Sequence, residues 1–564
     1  MTDPAAQTAP DIVPRPPAQV MRLARLGAFH QHRLSFLRIL LRRAKAESWR
    51  YDRRVFDVDA RGVGHAVLSM HTPKHVYSLV AFAHDLPPEM RSDRVIATAW
   101  DATFALFDGL PTEAEIADLR ANIPLQEAGR VGPKVLSVSR ANRSVRLWDY
   151  VVGCLAAGHQ PDAERIEEVG YLMRTTAVYG SGKLGAADRE ATADRPEFQP
   201  PFQIEMLAVW LIRTFVMDLV EHMARATSPQ AVPLDPALRR RFGIGNSTGL
   251  GMAPYLINHP VLLNNWIGVR EEALARVRRV QTATPEAAAT FRSLVARARL
   301  NVDLWRSAHP LQLEKLAELR ADLDRLLAHL DTADLVHDDP WDRLWRWAEE
   351  ALGLEGQEAV VSLLLEPYGD LVDGMDCCMA ADEAAAFRID ATMSVGRLAA
   401  ILRDTYGWAL AIDWDAPPAQ ARAWYTSAEK LEPRLGERWA EPVGDYEQPL
   451  SPGRDAARLA ATLADWSEAA KVAEVLLRHP EHRHIIRRAQ IAARHPYAEI
   501  RDNTIGAEVL PIDLLRAKLA FFGAQHFDPR SDRWVRISLY PGAPFPDELA
   551  SADPDDWTYP TLPA

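Results

Sequence analysis

The sequence predicts a mainly α-helical protein with small antiparallel β elements (α+β), in which a large helical array or bundle is flanked by an N-terminal sheet and a mixed C-terminal region. Apolar residues recur at three-to-four spacing between about 112 and 380, which predicts helices. Short segments rich in β-branched and aromatic residues at 54–109 predict strands. The resulting division is a disordered lead-in at 1–19, a helix with a small antiparallel sheet at 20–111, a helical core at 112–380 and a mixed region at 381–564.

The N-terminal segments give the clearest local patterns. Residues 20–49 alternate apolar positions with Arg and His, which predicts a basic amphipathic helix that docks on the protein or, alternatively, lies on a membrane surface. Strands are predicted at RVFDVD (54–59), GHAVLSMHT (64–72) and HVYSLVAFA (75–83). The segment RVIATAWDATFALFDG (94–109) could add a fourth strand.

Further along the chain, long helices are predicted up to residue 380 and mixed elements after it. The helical segments include 165–176, 202–224 and 261–280. In the C-terminal third, strands at 387–394 and 408–415 are predicted to surround a helix, and WVRISLY predicts a late strand at 534–540.

Composition excludes several classes of function. The chain has 65 Lys and Arg against 77 Asp and Glu, and a net charge of −12 argues against nucleic-acid binding. Three cysteines in 564 residues fit a reducing compartment, so we expect a cytoplasmic protein. The most apolar run, 206–220, contains Arg213 and Asp218 and is too short to span a bilayer, which predicts no integral membrane contact. High arginine and alanine contents are typical of a GC-rich bacterial genome.

The most unusual segment is GIGNSTGLGMAPYLINHP, residues 243–260. Its glycines allow backbone N–H groups to turn toward a ligand, and the helix predicted after it adds a terminus that favours anions. We therefore assign Ser247 and His259 as candidate catalytic residues, and three neighbours as candidate substrate-binding residues: Asn246, Thr248 and Gly249. The alternative is an ordered connection between helices in which the glycines only form turns.

Within this segment, GNSTGLGMAP (245–254) resembles the flexible Gly-Ser-Ser loop of the helical fumarase/aspartase lyases. The resemblance implies a serine acting as a base, which corresponds to Ser247 here. It covers only a few residues, and the Met-Pro-x-Lys-x-Asn-Pro continuation of those enzymes is absent from this sequence. Membership of that family therefore does not follow from it.

Two other polar segments supply further candidates. VYGSGKLGAADRE (178–190) contains Lys183 between glycines. This lysine could bind a phosphate, act as a nucleophile, or lie at a solvated loop tip. RAWYTSAEKLEPRLGER (422–438) contains the candidate catalytic Tyr425, although an exposed helix end is an alternative. Four arginines are candidate ligands of an anionic substrate: Arg143, Arg174, Arg434 and Arg438.

A metal site is considered at HPEHRH, residues 479–484. His479 and His482 have a metal-like spacing, but Pro480 interrupts the predicted helix and no HExxH motif occurs. We expect no metal here, and the sequence contains no recognisable cofactor motif, so no cofactor is expected.

These features predict an enzyme that acts on a small anionic metabolite by acid–base chemistry, as a lyase or a hydrolase. The alternative is a non-catalytic helical protein that binds a partner or a metabolite. A homo-oligomer is possible in either case. The enzyme hypothesis requires the loops at 178–190, 243–260 and 422–438 to converge on one buried pocket.

Overall fold

The computed structural model describes residues 12–87, 99–122, 132–175, 192, 194–246, 260–305, 310–379, 387–414, 424–427, 433–435, 447–450, 452–501, 511–523, 526–529 and 535–555. Its strands are, in chain order, β1 (Arg50–Val58), β2 (Gly64–His71), β3 (Val76–Ala83), β4 (Ala102–Asp108), β5 (Val135–Arg143), β6 (Tyr171–Thr175), β7 (Gly243–Asn246), β8 (Trp424–Ser427), β9 (Pro433–Leu435), β10 (Glu447–Leu450), β11 (His526–Pro529) and β12 (Val535–Leu539).

The helices are α1 (Pro17–Val20), α2 (Phe36–Ala46), α3 (Glu113–Asn122), α4 (Trp148–Ala156), α5 (Ala163–Glu167), α6 (Gln203–Thr227), α7 (Pro236–Arg241), α8 (Pro260–Arg278), α9 (Pro285–Leu304), α10 (Pro310–Leu330), α11 (Pro340–Ala351), α12 (Leu354–Leu363), α13 (Gly369–Val372), α14 (Val395–Leu410), α15 (Pro452–Leu463), α16 (Val472–Arg478), α17 (Arg483–Arg494) and α18 (Pro511–Phe522). Short 3-10 helices lie at Leu23–Arg25, Pro196–Phe198, Glu366–Tyr368, Asp373–Met379 and Pro480–His482.

One large mixed sheet organises the fold. Its nine strands have the order β1-β2-β3-β4-β5-β6-β7-β12-β11. Neighbouring strands are antiparallel except β6 and β7, which are parallel. Strands β8, β9 and β10 form a separate antiparallel sheet of three strands.

The prediction of a mainly helical chain with small antiparallel β elements is therefore wrong. The sheet is neither small nor wholly antiparallel, and β5, β6 and β7 come from the segment predicted as a helical core. Residues 165–176, predicted as one helix, contain the end of α5 and the strand β6. The pairing partners of β6 and β7 lie far away in the sequence, so a local apolar period could not identify them.

Both faces of the sheet are covered, which explains why β3 and β4 are buried at nearly every position rather than at every second one. The long helix α6 packs on one face, where Phe104 meets Phe215 at 5.7 Å between ring centroids. On the opposite face Val80 and Phe82 pack with Ile116 of α3. The sheet is thus a buried layer between helices.

Glycines in β7 permit close packing within the sheet. A Cβ atom at Gly243 would lie 2.4 Å from the carbonyl oxygen of Leu539 in β12. A Cβ atom at Gly245 would lie 2.7 Å from the ring of Tyr171 in β6. These two glycines, which the sequence analysis placed in a ligand-binding loop, are parts of a strand.

Other local predictions also change. The helix predicted at 20–49 is shortened to α2, because the residues before it form a buried irregular segment. The strands predicted at 387–394 and 408–415 are not strands in the described residues, where α14 extends to Leu410. Strands β1 to β4 and β12 are confirmed in position. No helix in the described part of the chain has the length and apolar character needed to cross a membrane.

Candidate functional site

Three of the predicted substrate-binding residues lie on neighbouring strands of the large sheet: Arg143 in β5, Arg174 in β6 and Asn246 in β7. Arg174 in β6 is paired with Asn142 in β5 and with Gly245 in β7, and Gly245 is paired with Ser538 in β12. Paired residues present their side chains on one face of a sheet. Arg174, Asn142 and Ser538 therefore form a polar row on that face, and all three are buried.

Arg143 lies on the other face, away from this row. Its guanidinium stacks over the ring of Trp148 at 4.7 Å, and its Nε lies 3.7 Å from the carboxylate of Asp101. The backbone N–H of Arg143 also donates to Asp101 at 3.0 Å. The structure thus separates Arg143 from Arg174 and gives Arg143 contacts that hold the end of β5 in place.

Strands β6 and β7 end side by side. Thr175 and Asn246 are paired residues at the ends of the parallel strands β6 and β7. The chain therefore leaves both strands at adjacent positions and in the same direction. Ser247, Thr248, Gly249, His259 and Lys183 lie outside the described residues.

The third predicted loop belongs to the separate small sheet. Tyr425 in β8 is paired with Arg434 in β9. Arg438 lies outside the described residues. The two described residues are therefore neighbours, which brings them together as backbone positions, but the described contacts of this sheet do not connect it with β6 and β7.

A second polar region lies in residues His30–Ser35, between the 3-10 helix at Leu23–Arg25 and α2. We call this stretch the polar segment. Its residues His30, Gln31, His32 and Ser35 are each less than one-tenth exposed. The ring of His32 lies 5.3 Å from that of Trp266 in α8, and Trp266 Nε1 donates to the carbonyl oxygen of Leu34 at 3.1 Å. Packing by α8 thus fixes the segment.

Several polar atoms of this segment have no hydrogen-bond partner among the described residues. They are both amide atoms of Gln31, His32 Nε2 and Ser35 Oγ. Buried polar atoms are nearly always paired, since leaving one unpaired costs about 1–3 kcal/mol. Three such side chains lie within five residues, and a ligand or ordered water would complete their hydrogen bonds.

The unpaired atoms include hydrogen-bond donors. The backbone N–H of Leu34 donates to His32 Nδ1 at 3.1 Å, so the neutral ring carries its proton on Nε2. Ser35 is the residue before the first turn of α2, yet its hydroxyl does not cap that helix. The first N–H groups of α2, like those of any α-helix, have no partner within the helix and favour an anion. This donor set suits an anionic group.

The electrostatic environment keeps both histidines neutral. Burial lowers the pKa of His30 to about 3. Burial also lowers the pKa of His32 well below its usual range, and the positive charges of Arg270 and Arg38 lower it further. The same positive charges that disfavour protonation of His32 would attract an anion bound beside it.

The arginines near the segment are held in place by carboxylates. Arg38 is fully buried and donates to Glu366 at 2.6 and 2.7 Å and to Asp555 at 2.9 Å. Arg33 makes two bonds of 2.7 Å to Asp373. Because each of these arginines is already paired, their role is to fix charge around the segment rather than to move.

The chain that follows each glycine-rich segment contacts the polar segment or the start of α2. After the first, the chain reaches α6, where Gln203 Nε2 donates to the carbonyl oxygen of Phe36 at 3.0 Å. After the second, it enters α8 at Pro260, and Trp266 of this helix contacts His32. Both segments therefore connect the ends of β6 and β7 with helices that pack around the start of α2.

Sequence reasoning missed the polar segment because its histidines fit the pattern of a basic amphipathic helix. One signal was present. HQHR places four consecutive polar residues between Phe29 and Leu34, which interrupts the apolar spacing needed for a single helix.

Comparison with known proteins identifies no relative: no protein family, no curated protein and no solved structure matches this chain.

Proposed function

We propose that this chain binds a small anionic metabolite at the polar segment and acts on it by acid–base chemistry, as a lyase or a hydrolase. One observation carries the proposal. Gln31, His32 and Ser35 are buried polar side chains with unpaired atoms, in surroundings that keep His32 neutral. Such atoms are costly unless a ligand or ordered water pairs with them, and we assign a ligand to these.

In this mechanism His32 is the electrophilic group. A neutral imidazole with its proton on Nε2 donates a hydrogen bond to a carbonyl or carboxylate oxygen and stabilises the negative charge that develops when a nearby proton is removed. Ser35 Oγ and the first N–H groups of α2 would add donors to the same oxygen. The donors are fixed by packing before the ligand arrives, which is the condition for electrostatic stabilisation of a transition state.

The base is proposed from the glycine-rich segment at 243–260. Ser247 and His259 remain the candidates, since the chain on one side of this segment is β7 and on the other side is α8, which contacts His32. Lys183 in the other glycine-rich segment is the candidate for a second contact to the anion. Arg174 is the proposed substrate-binding residue in the sheet.

A ligand screen tests the binding half of the proposal. Metal-free protein would be heated with phosphate, sulfate and small mono- and dicarboxylates, and the midpoint of thermal unfolding would be recorded. A compound that binds the native state raises the midpoint. At a concentration of 100 times its Kd, it raises the free energy of unfolding by about 2.7 kcal/mol. If none of these anions raises the midpoint, the proposal is contradicted.

Turnover of a compound found in this way tests the catalytic half. Ser247→Ala and His259→Ala should reduce turnover by at least about 100-fold, the contribution typical of a general acid or base, while the fold is retained. Unchanged turnover in both variants would exclude these residues as the base. A compound that binds without being converted would instead favour the alternative function, a metabolite-binding protein without catalysis.

A further inference from the structure

A cluster of potential metal ligands lies far from the polar segment in the sequence. His479, Glu481 and His482 each place one ligand atom within 4.8 Å of the others. His479 Nδ1 lies 3.2 Å from Glu481 Oε1, and the two imidazole rings are 6.0 Å apart. We call these three residues the 479–482 cluster.

Pro480 brings the two histidines together rather than separating them. It is the first residue of the 3-10 helix Pro480–His482, a position where proline is tolerated because its missing N–H would be unpaired in any case. A 3-10 helix has about three residues per turn, so residues three apart lie one above the other. The helix break therefore creates the spacing that a continuous α-helix was expected to provide.

A second contact orients His482. The hydroxyl of Thr462 in α15 lies 3.1 Å from the carbonyl oxygen of Arg458 and 2.9 Å from His482 Nε2. A hydroxyl has one proton, and when it donates that proton to Arg458 it accepts from His482 Nε2. This arrangement leaves Nδ1 of His482 with a free lone pair, and metal-binding histidines commonly donate their other N–H in this way.

The cluster combines a fixed residue with two accessible ones. His482 is buried, while the side chains of His479 and Glu481 are 36% and 61% exposed. The His479 ring also meets the edge of Trp466 at 6.4 Å between centroids. Exposed Glu481 can rotate to shorten the remaining distances without disturbing a packed core.

We propose that the 479–482 cluster binds one divalent transition-metal ion, for which zinc is the probe. Two imidazoles and one carboxylate are a ligand set that proteins use for zinc, with the fourth position taken by water. The same set also suits other first-row divalent ions, whose affinities generally follow a common order. The site is independent of the function proposed above.

Zinc binding to the full-length chain, purified without a histidine tag and freed of metal, tests this proposal. Competition with a chromophoric chelator measures the affinity. We expect one zinc ion bound per chain at this site, and His479→Ala and His482→Ala should each weaken it by at least about tenfold. Thr462→Val should weaken it by about 10–100-fold, because it removes the contact that orients His482.

His484→Ala is the matched control, since it removes an exposed histidine from the same run of sequence without touching the cluster. It should leave the affinity unchanged. If His482→Ala fails to fold, the exposed Glu481→Gln replaces it and should also weaken binding. A Kd for zinc above about 100 µM would overturn the proposal. A loss of zinc affinity in His484→Ala equal to that in the cluster variants would overturn it as well.

Discussion

At the scale of single residues, the unpaired hydroxyl of Ser35 separates a binding role from a structural one. Ser69 provides the comparison, because it is equally buried and its Oγ lies 2.9 Å from that of Ser78. A paired hydroxyl stabilises the fold, whereas an unpaired one destabilises the ligand-free protein and has value only when a ligand is bound.

Ser35→Ala should therefore leave the ligand-free protein equally stable or more stable by up to about 1 kcal/mol, because an unpaired buried group is removed. Ser69→Ala should lose about 1 kcal/mol, since a buried hydrogen bond disappears. Urea unfolding of the two variants measures both changes. A loss of stability in Ser35→Ala similar to that in Ser69→Ala would mean that the Ser35 hydroxyl is paired within the fold.

The neutral histidines also predict a pH dependence. The folded-state pKa values of His30 and His32 lie below the unfolded-state value of about 6.5, so the unfolded state binds more protons below that pH. Their contribution makes the free energy of unfolding fall as the pH decreases from 6.5 toward the folded-state pKa. His32→Phe should remove roughly 2 kcal/mol of the loss measured between pH 6.5 and pH 5. Parallel stability curves for the two proteins would contradict this assignment.

At the scale of elements, what the sequence predicted depended on the range of the interactions. Strands β2 and β3 were predicted because their pattern and their pairing are both local. Strand β7 was not, since GIGN contains two glycines and its partners β6 and β12 lie far away in the sequence. The glycines were interpreted as freedom for a loop, whereas they are required by contacts that only the folded chain contains.

Gly245→Ala should destabilise the sheet, because the added Cβ would overlap the ring of Tyr171 in β6. Overpacking of this kind costs about 1–3 kcal/mol. Gly153→Ala in α4 is the matched control, since nothing lies within 4 Å of its added Cβ, and it should be neutral or stabilising by up to about 1 kcal/mol. Equal stability of the two variants in urea would show that β7 is not packed against Tyr171.

The expected convergence of the two glycine-rich segments stays a prediction at this scale. Thr175 and Asn246, the last residues of β6 and β7, are paired, and most of both segments lies outside the described residues. The polar segment could not be identified, because His32 packs against Trp266 of α8, more than 200 residues away. Periodicity reports which face of a helix is apolar, but not whether polar residues between helices are buried.

At the scale of the whole molecule, ion pairs join residues that lie far apart in the sequence. Arg15 donates to Glu271 at 2.7 Å and to Glu358 at 3.0 Å. Asp555 accepts from Arg38, which follows the polar segment in α2. Arg213 in α6 is fully buried and donates to three backbone carbonyl groups, one of them that of Ala543. The surroundings of the polar segment therefore depend on the complete fold.

This dependence explains why the site is not visible in any single stretch of sequence. Its donors come from the polar segment and its charges from α2 and α8, which are far apart in the chain. The proposed base comes from a third region, the glycine-rich segment at 243–260. A short motif of the kind used to recognise catalytic sites would not include all three.

The central claim is that Gln31, His32 and Ser35 contact an anion, and its most direct test is the ligand-induced shift of thermal unfolding in Gln31→Leu. Without ligand, this variant should unfold at the same temperature as the wild type or higher, because two unpaired buried atoms are replaced by an apolar side chain. The affinity of Gln31→Leu for the anion that stabilises the wild type should be lower by at least about tenfold, a change of about 1.4 kcal/mol. The control variant Ser69→Ala should bind this anion as the wild type does. An anion response in Gln31→Leu equal to that of the wild type would contradict the account.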